Sequence, residues 1–573
     1  MNFIHYIFAS LFCVSASAQD SIPEYPKDYF GSPLEVPFLL AGNYGEPRPA
    51  HFHMGMDIRT MEKEGLSVYA MADGYVSRIG VSPYGYGNVL YITYLKGFTS
   101  VYGHLQRFNA PITAIVRKEQ NAKEQFAVDI TLKPYEFPVA KGDLVAYSGN
   151  TGASGGPHMH FEIRDVMERT INPLNFGFRS DDHVAPTIGA IKLYPMGDKK
   201  YSTEAYRTSA ILTDSGYWIK AGLQKVNAAA VAISVNTFDR MDEKVHTVCP
   251  YDLKEYDGDV LIFEYTVDRI SFDNIRYIIA QVDYPIFMKE GSRAFQKCFI
   301  ERNNTMPGFY HNVKNRGIID LSDGRVHNIR VEATDHEGNK STLHTLLQFD
   351  PASTAFKATP NHYMKVLLPD GDNAISGDGF NATIPGKFLL DSVFINYSSA
   401  PPTTATPGIF SNIIKIGDYY DLLGPFKLSI KSLNLPASLK DKALIVWKNT
   451  GGGTVGRGGK WDGDMLTTDS REFGTYYIVV DTTAPKITPV NIIKGKNMRG
   501  LKYITFTIRD NLSSIAEYHG YLDGKWQLME LDGKTGILRM ELPTTLKAGE
   551  HSFKLVVSDD RANVSEYSTT FIY

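Results

Sequence analysis

Short runs that alternate apolar and polar residues, closed off by Gly, Pro, Asn or Asp, recur along this whole sequence. Val89-Leu90-Tyr91-Ile92-Thr93, Tyr503-Ile504-Thr505-Phe506-Thr507 and Phe553-Lys554-Leu555-Val556-Val557 are examples. A period of two puts successive side chains on opposite faces of an extended chain, so each run reads as a strand with one face buried. Stretches with a 3.6-residue period are scarce. The expected fold class is therefore all-β. At 573 residues the chain is too long for one core, and roughly three to five domains are expected. The aromatic content, 34 Tyr and 31 Phe, points the same way, because aromatic side chains favour pleated, half-buried surfaces.

Charge excludes some functions. With a formal net charge of −4, the chain has no electrostatic grip on nucleic acid or on an anionic membrane. The opening residues, MNFIHYIFASLFCVSASAQD, resemble a cleaved export signal. An apolar run from Phe3 to Val14 leads into Ser15-Ala16-Ser17-Ala18, which gives a signal peptide over 1–18. Phe12 before Cys13 makes a poor lipidation site, and no later stretch is long and apolar enough for a transmembrane segment. The mature chain is thus expected to be exported, to a periplasm, the cell envelope or the medium. Only Cys249 and Cys298 then remain; they either pair or stay free, and their spacing is not that of a metal site.

The C-terminal part repeats itself. HNIRVEATDHEGNKS from His327 aligns without a gap with HSFKLVVSDDRANVS from His551, matching Asp335 with Asp559 and Asn339 with Asn563. Each reads as a strand running into an Asp/Asn turn. Each lies downstream of an Ala-Pro start, Ala185-Pro186 and Ala484-Pro485. Two related β-sandwich modules, over 184–350 and 483–573, explain this most simply, and they resemble immunoglobulin-like modules. A β-rich module is expected between them, over 351–482. Its Gly-rich NTGGGTVGRGG (449–459) lacks the Gly-Lys-Ser/Thr ending of a phosphate loop and reads as a flexible hairpin loop.

The N-terminal part holds the chemistry. In HFHMGMDIR (51–59), His53, Gly55 and Asp57 fall on one side of an extended chain and Met54, Met56 and Ile58 on the other. In SVYGHLQ (100–106), alternation puts Tyr102 and His104 on one side and Val101 and Gly103 on the other. In NTGASGGPHMHFEIRD (150–165), His158, His160 and Glu162 alternate with Met159, Phe161 and Ile163. A lone histidine on a strand is ordinarily a solvated or satisfied residue. Four of the chain's 15 histidines on the polar faces of three apolar-backed strands are different, because strands paired in one sheet bring those faces together. His with Asp suits zinc, whose catalytic sites use three protein ligands and keep one position open. Gly55 leaves the space a metal needs, and a bend there brings its neighbours together.

These segments resemble the M23 family of zinc metallopeptidases, the lysostaphin-like, LytM-type peptidoglycan endopeptidases. The family pattern H-x-x-x-D, then a single His, then H-x-H matches HMGMD (53–57), GHL (103–105) and HMH (158–160). YAMADGYV (69–76), YGYGNVLYI (84–92), KGDLVAYSGNTG (141–152) and GGPHMHFE (155–162) agree around them. The resemblance covers about residues 30–175 and implies an antiparallel β-sheet peptidase domain over 19–177. It implies Zn2+ as cofactor, with His53, Asp57 and His160 as metal ligands and His104 and His158 as catalytic histidines. No HExxH is present, so histidine takes the place of a glutamate base. Glu162 is in place to orient a ligand histidine, although such a residue more often meets solvent. His51 is read as a solvated neighbour rather than an alternative ligand. The stretch 106–138 is longer than the family's usual connection; RKEQNAKEQ within it suggests an extra loop or hairpin near the active-site rim.

The implied function is an exported zinc metalloendopeptidase that hydrolyses peptide bonds in peptidoglycan. The C-terminal modules then serve as spacers or bind cell-wall glycan or protein partners. The alternatives are a non-catalytic M23-like activator or scaffold, a cell-wall-binding protein carried by its β modules, and a peptidase whose substrate is a protein.

Overall fold

In the computed structural model, the described residues are 23–573 apart from 180–181, 198–204, 241–246, 292–294, 307, 358–362, 404–407 and 450–451. The export signal read over 1–18 lies outside them. The chain is β-rich throughout. The described α-helices are Ala110–Lys123, Ile278–Gln281 and Tyr284–Glu290, and among the described residues no helix is long and apolar enough to cross a membrane.

The N-terminal unit is built on one antiparallel sheet. Its members are β1 (Leu40–Gly42), β2 (Met56–Arg59), β3 (Gly74–Val81), β4 (Asn88–Tyr94), β5 (Thr99–Leu105), α1 (Ala110–Lys123), β6 (Val128–Thr131) and β7 (His158–Arg164). The strands lie side by side in the order β1-β2-β7-β5-β4-β3-β6. The three histidine-bearing segments thus meet at the sheet's centre. One face packs Met56, Ile58, Tyr102, Met159, Phe161 and Ile163 into the core. The opposite face carries the polar residues.

The segment 106–138 differs from the loop or hairpin expected. Residues 110–123 form α1, and residues 128–131 form β6, which pairs antiparallel with β3 at the sheet edge. The physical reason lies under the charged sequence. Asn109 caps the helix by accepting from the Ile112 amide at 3.0 Å, Pro111 sits in its first turn, and Ile112, Val116 and Gln120 form a buried stripe.

Beyond residue 184 the chain forms further sheets. A twelve-stranded network spans 187–349, an eight-stranded one spans 372–480, and two smaller sheets enclose a separate core over 486–572. The first of these is not a bead on a string. Thr170–Ile171 pairs with β7 on one side and with Arg269–Ile270 on the other, and one apolar core runs from Tyr25 through Phe356 to Leu390. The Gly-rich stretch falls at an antiparallel hairpin between Ala443–Lys448 and Thr454–Gly456.

The internal repeat has a matching geometry in both copies. Asn339 donates from Nδ2 to Asp335 Oδ2 (2.8 Å) and to Asp182 O (3.1 Å). Asn563 donates to Asp559 Oδ2 (2.8 Å) and to Asp481 O (3.0 Å). In each copy the Asp/Asn turn closes on the residue three before its Ala-Pro start. Cys249 and Cys298 are both free thiols.

Candidate metal centre

His53 to Asp57 is not one continuous strand. Residues 51–52 and 56–59 are extended, and the chain bends at Gly55. Gly55 is required here for a different reason from the one expected. A Cβ on it would lie 2.8 Å from His160 Nε2 and 2.8 Å from Glu162 Cγ. The space a side chain would need is filled by β7, so glycine lets that strand's histidine approach.

In register, His160 lies opposite Asp57 on β2 and opposite Gly103 on β5. Three nitrogens converge on Asp57 Oδ1: His53 Nε2 at 3.2 Å, His160 Nδ1 at 3.1 Å and His158 Nε2 at 3.3 Å. His53 Nε2 and His160 Nδ1 are 3.1 Å apart. The other carboxylate oxygen, Asp57 Oδ2, accepts from Arg48 Nη2 at 3.2 Å. The His104 ring stands 4.9 Å from His158 and 5.9 Å from His160, centroid to centroid.

The face expected for His104 needs correction. Tyr102 is not on the polar side; it is fully buried, its hydroxyl bonded to Tyr94 and to Tyr69 O. Pairing with β7 puts Val101 and Gly103 on the site face and Tyr102 on the core face. Alternation alone would therefore turn His104 into the core. Its backbone takes a left-handed conformation, φ 57°, which breaks the alternation and swings the imidazole to the site.

The hydrogen bonds set every tautomer. His53 Nδ1 donates to Asn43 O (2.7 Å), His104 Nδ1 to Thr151 O (2.8 Å) and His158 Nδ1 to Gly156 O (2.8 Å). His160 Nε2 donates to Glu162 Oε1 (2.9 Å). Each ring then turns an unprotonated nitrogen to the centre. Lone pairs of His53 and His160 facing a carboxylate oxygen within 3.1–3.2 Å repel unless a cation or a proton lies among them. Without a cation a proton does so. Burial opposes charge on His160, but bonds to Asp57 and Glu162 outweigh it and raise its pKa to about 9. The donor set of two imidazoles and one carboxylate fits a zinc ion, with all three ligand atoms within 4.8 Å of one another.

Glu162 does not meet solvent. It is completely buried, and besides His160 it accepts from Tyr86 Oη and from Arg164 Nε (2.8 Å) and Nη2 (2.7 Å). Burial works against its charge, but Arg164 and His160 prevail and lower its pKa to about 2. This is the carboxylate–histidine pairing that fixes ligand orientation at metal sites. Arg48, Tyr86 and Arg164 carry no sequence signal of their own, although Arg164 continues the alternation of His160 and Glu162. His51 lies apart, exposed, with Nδ1 on Pro49 O at 2.8 Å. His104 is lowered to about 4, first by burial and then by the neighbouring His160 and His158. His158 is the most open of the set, its side chain 15% exposed.

The profile of peptidase family M23 matches residues 51–124, which carry His53, Asp57 and His104. That of the Zu5-like domain matches residues 364–481. A protein described as an uncharacterized metalloprotease of Haemophilus influenzae is 31% identical over 130 residues, 23% of this chain and 21% of the relative. The DD-carboxypeptidase/endopeptidase Mpg of Neisseria meningitidis is 29% identical over 123 residues, 22% of each chain. This chain therefore spans about a fifth of the length of these relatives. Among solved structures, the catalytic domain of the prophage-encoded M23 protein EnpA from Enterococcus faecalis is 25% identical, over 27% of this chain and 98% of that one, with a TM-score of 0.19.

Proposed function

Since residues 51–124 match peptidase family M23, we propose that this chain carries an M23 peptidase domain and is an exported zinc metalloendopeptidase that cleaves peptide bonds in peptidoglycan. One observation carries the reading. His53 Nε2, Asp57 Oδ1 and His160 Nδ1 converge, and their outer atoms are already held by Asn43, Arg48 and Glu162. Those three converging residues would hold the zinc. Bound there, it supplies a Lewis acid that polarises the scissile carbonyl.

The remaining steps belong to the protein. His104, held neutral at pH 7 by burial, offers Nε2 as the base that takes a proton from the attacking water. His158, more open and with Nδ1 fixed on Gly156 O, stabilises the developing oxyanion or passes a proton to the leaving amine. Glu162, Tyr86 and Arg164 keep His160 in the tautomer that presents Nδ1. The Neisseria relative's name includes endopeptidase, which supports the reaction class. We assign the modules over 184–350 and 351–482 to wall attachment, partner docking or spacing.

The test is zinc content by mass spectrometry, followed by incubation with isolated peptidoglycan and analysis of released peptides. One zinc per chain and new peptide termini, both lost in His160→Ala, are expected. Intact protein that takes up no zinc and releases no peptide would instead be a non-catalytic scaffold.

A further inference from the structure

Residues 149–157 hold both candidate catalytic histidines. Thr151 O accepts from His104 Nδ1, and Gly156 O accepts from His158 Nδ1 with Ser154 Oγ 3.2 Å from the same nitrogen. Any shift of this loop therefore moves two imidazoles at once. A residue from the far end of the chain grips the loop. Lys534 lies on a tight turn closed by the Gly536 N to Asp532 O bond (2.8 Å). Its ammonium donates to Asn150 O and to Ser154 O (3.2 Å), on either side of Thr151.

The turn is seated by its backbone. Gly533 N donates to Pro83 O at 3.3 Å. A Cβ on Gly533 would run into the Tyr84 ring and lie 2.6 Å from Pro83 O. Nearby, Arg117 of α1 pairs with Glu530 at 2.6 Å. Tyr84 and Pro83 lead into Gly85, which accepts from Ala153 N at 2.8 Å, so the turn touches both strands of the same loop pair.

We infer that Lys534 is a positioning residue for His104 and His158, and that the 483–573 module is a working part of the N-terminal site. The ammonium ties Asn150 O, next to Thr151, to Ser154 O three residues beyond it, and through this part of the loop sets the orientation of both imidazoles. A lysine donating to two carbonyls makes charge-assisted bonds, which outweigh neutral ones. Its geometry stands by itself; its kinetic consequence rests on the peptidase reading.

The test uses the full chain carrying Lys534→Met, which keeps the apolar stem and removes the donors, and Lys534→Arg, which keeps donors. With peptidoglycan fragments as substrate, Lys534→Met should lower kcat about tenfold, a low figure for two charge-assisted bonds because the lysine is exposed, with KM and zinc content unchanged. Lys534→Arg should recover most of it. In 15N-histidine NMR spectra the His104 and His158 side-chain signals should shift in Lys534→Met while that of exposed His51 stays. Gly533→Val, which pushes the turn off Tyr84, should reproduce the Met variant if that one folds poorly. Unchanged histidine signals together with wild-type kcat, or a change confined to KM, would overturn the inference. If the wild type cleaves nothing, the peptidase reading fails, and the histidine signals alone decide the role of Lys534.

Discussion

His104 shows at the scale of one residue what a period-two pattern leaves out. The sequence places a histidine near the end of a strand, and its chemistry is legible there. Its face is not, because face depends on φ, and a single left-handed residue reverses the parity of the alternation. Non-glycine residues in that region cost of order 1 kcal/mol and persist where surrounding bonds hold them, here Thr151 O on Nδ1. This leads to an inverted preference. At a regular strand position alanine is more stable than glycine. At position 104, His104→Gly should be more stable than His104→Ala by about 1 kcal/mol, because glycine alone adopts this backbone freely. Urea denaturation of the two variants measures the difference. An alanine variant as stable as the glycine one would mean that the backbone relaxes and that no strain is held there. Glu162 was legible in part. Its alternation with His160 is plain in the sequence, but its burial depends on Tyr86 and Arg164 arriving from other places in the fold.

At the scale of elements, the strand carrying HMH was readable because its apolar back is continuous, whereas HMGMD reads as one strand and is broken at Gly55. The turns that close the two repeated units were readable because Asp and Asn occupy matching positions. Helix α1 was not, since the surface charges of RKEQNAKEQ hide a stripe of only three buried residues. The strand Ala230–Arg240 adds a feature with no sequence signature at all. Asp239 on it is 2% exposed, and burial, then Asp182, and then Asp335 and Glu337 raise its pKa to about 7. A folded pKa above the unfolded value of 3.8 means that the fold disfavours the charged form. Little is lost below about pH 3, where both states are protonated; the cost grows as the pH rises through the unfolded value of 3.8 and is complete above about 7. Asp239→Asn should therefore raise stability at pH 8, by up to about 4 kcal/mol for a pKa raised from 3.8 to about 7, and change it little at pH 3. Chemical denaturation at the two pH values checks this, and an equal gain at both would assign the effect to packing instead of charge.

At the scale of the molecule, the junctions between units differ in kind, and this decides which pieces can stand alone. The N-terminal unit and the one after it share strand pairing through Thr170–Ile171, a bond from Tyr25 Oη to Asp268 Oδ2 (3.1 Å) and one unbroken apolar core. The resemblance that marks residues 30–175 as a peptidase could not show this, because the partner strand comes from residues 269–270. The C-terminal unit, by contrast, has its own core, joined at its N-terminal face by Phe126, and meets the rest mainly through polar groups. A cavity of about 190 Å³ remains beside Tyr84 at that contact, lined by Ile508, Leu531 and Lys534 among others. Burying apolar area is what stabilises a junction, so the first should break only with global unfolding and the second separately. A fragment over 23–178 should then melt at least about 10 °C below one over 23–356, since it exposes core residues such as Ile171 and leaves the 170–171 strand without its outer partner. Removing 483–573 should instead leave the melting of the remainder within a few degrees. Differential scanning calorimetry of the three fragments distinguishes these cases. A 23–178 fragment that melts as high as 23–356 would show that the shared core is only a contact between two independently stable units.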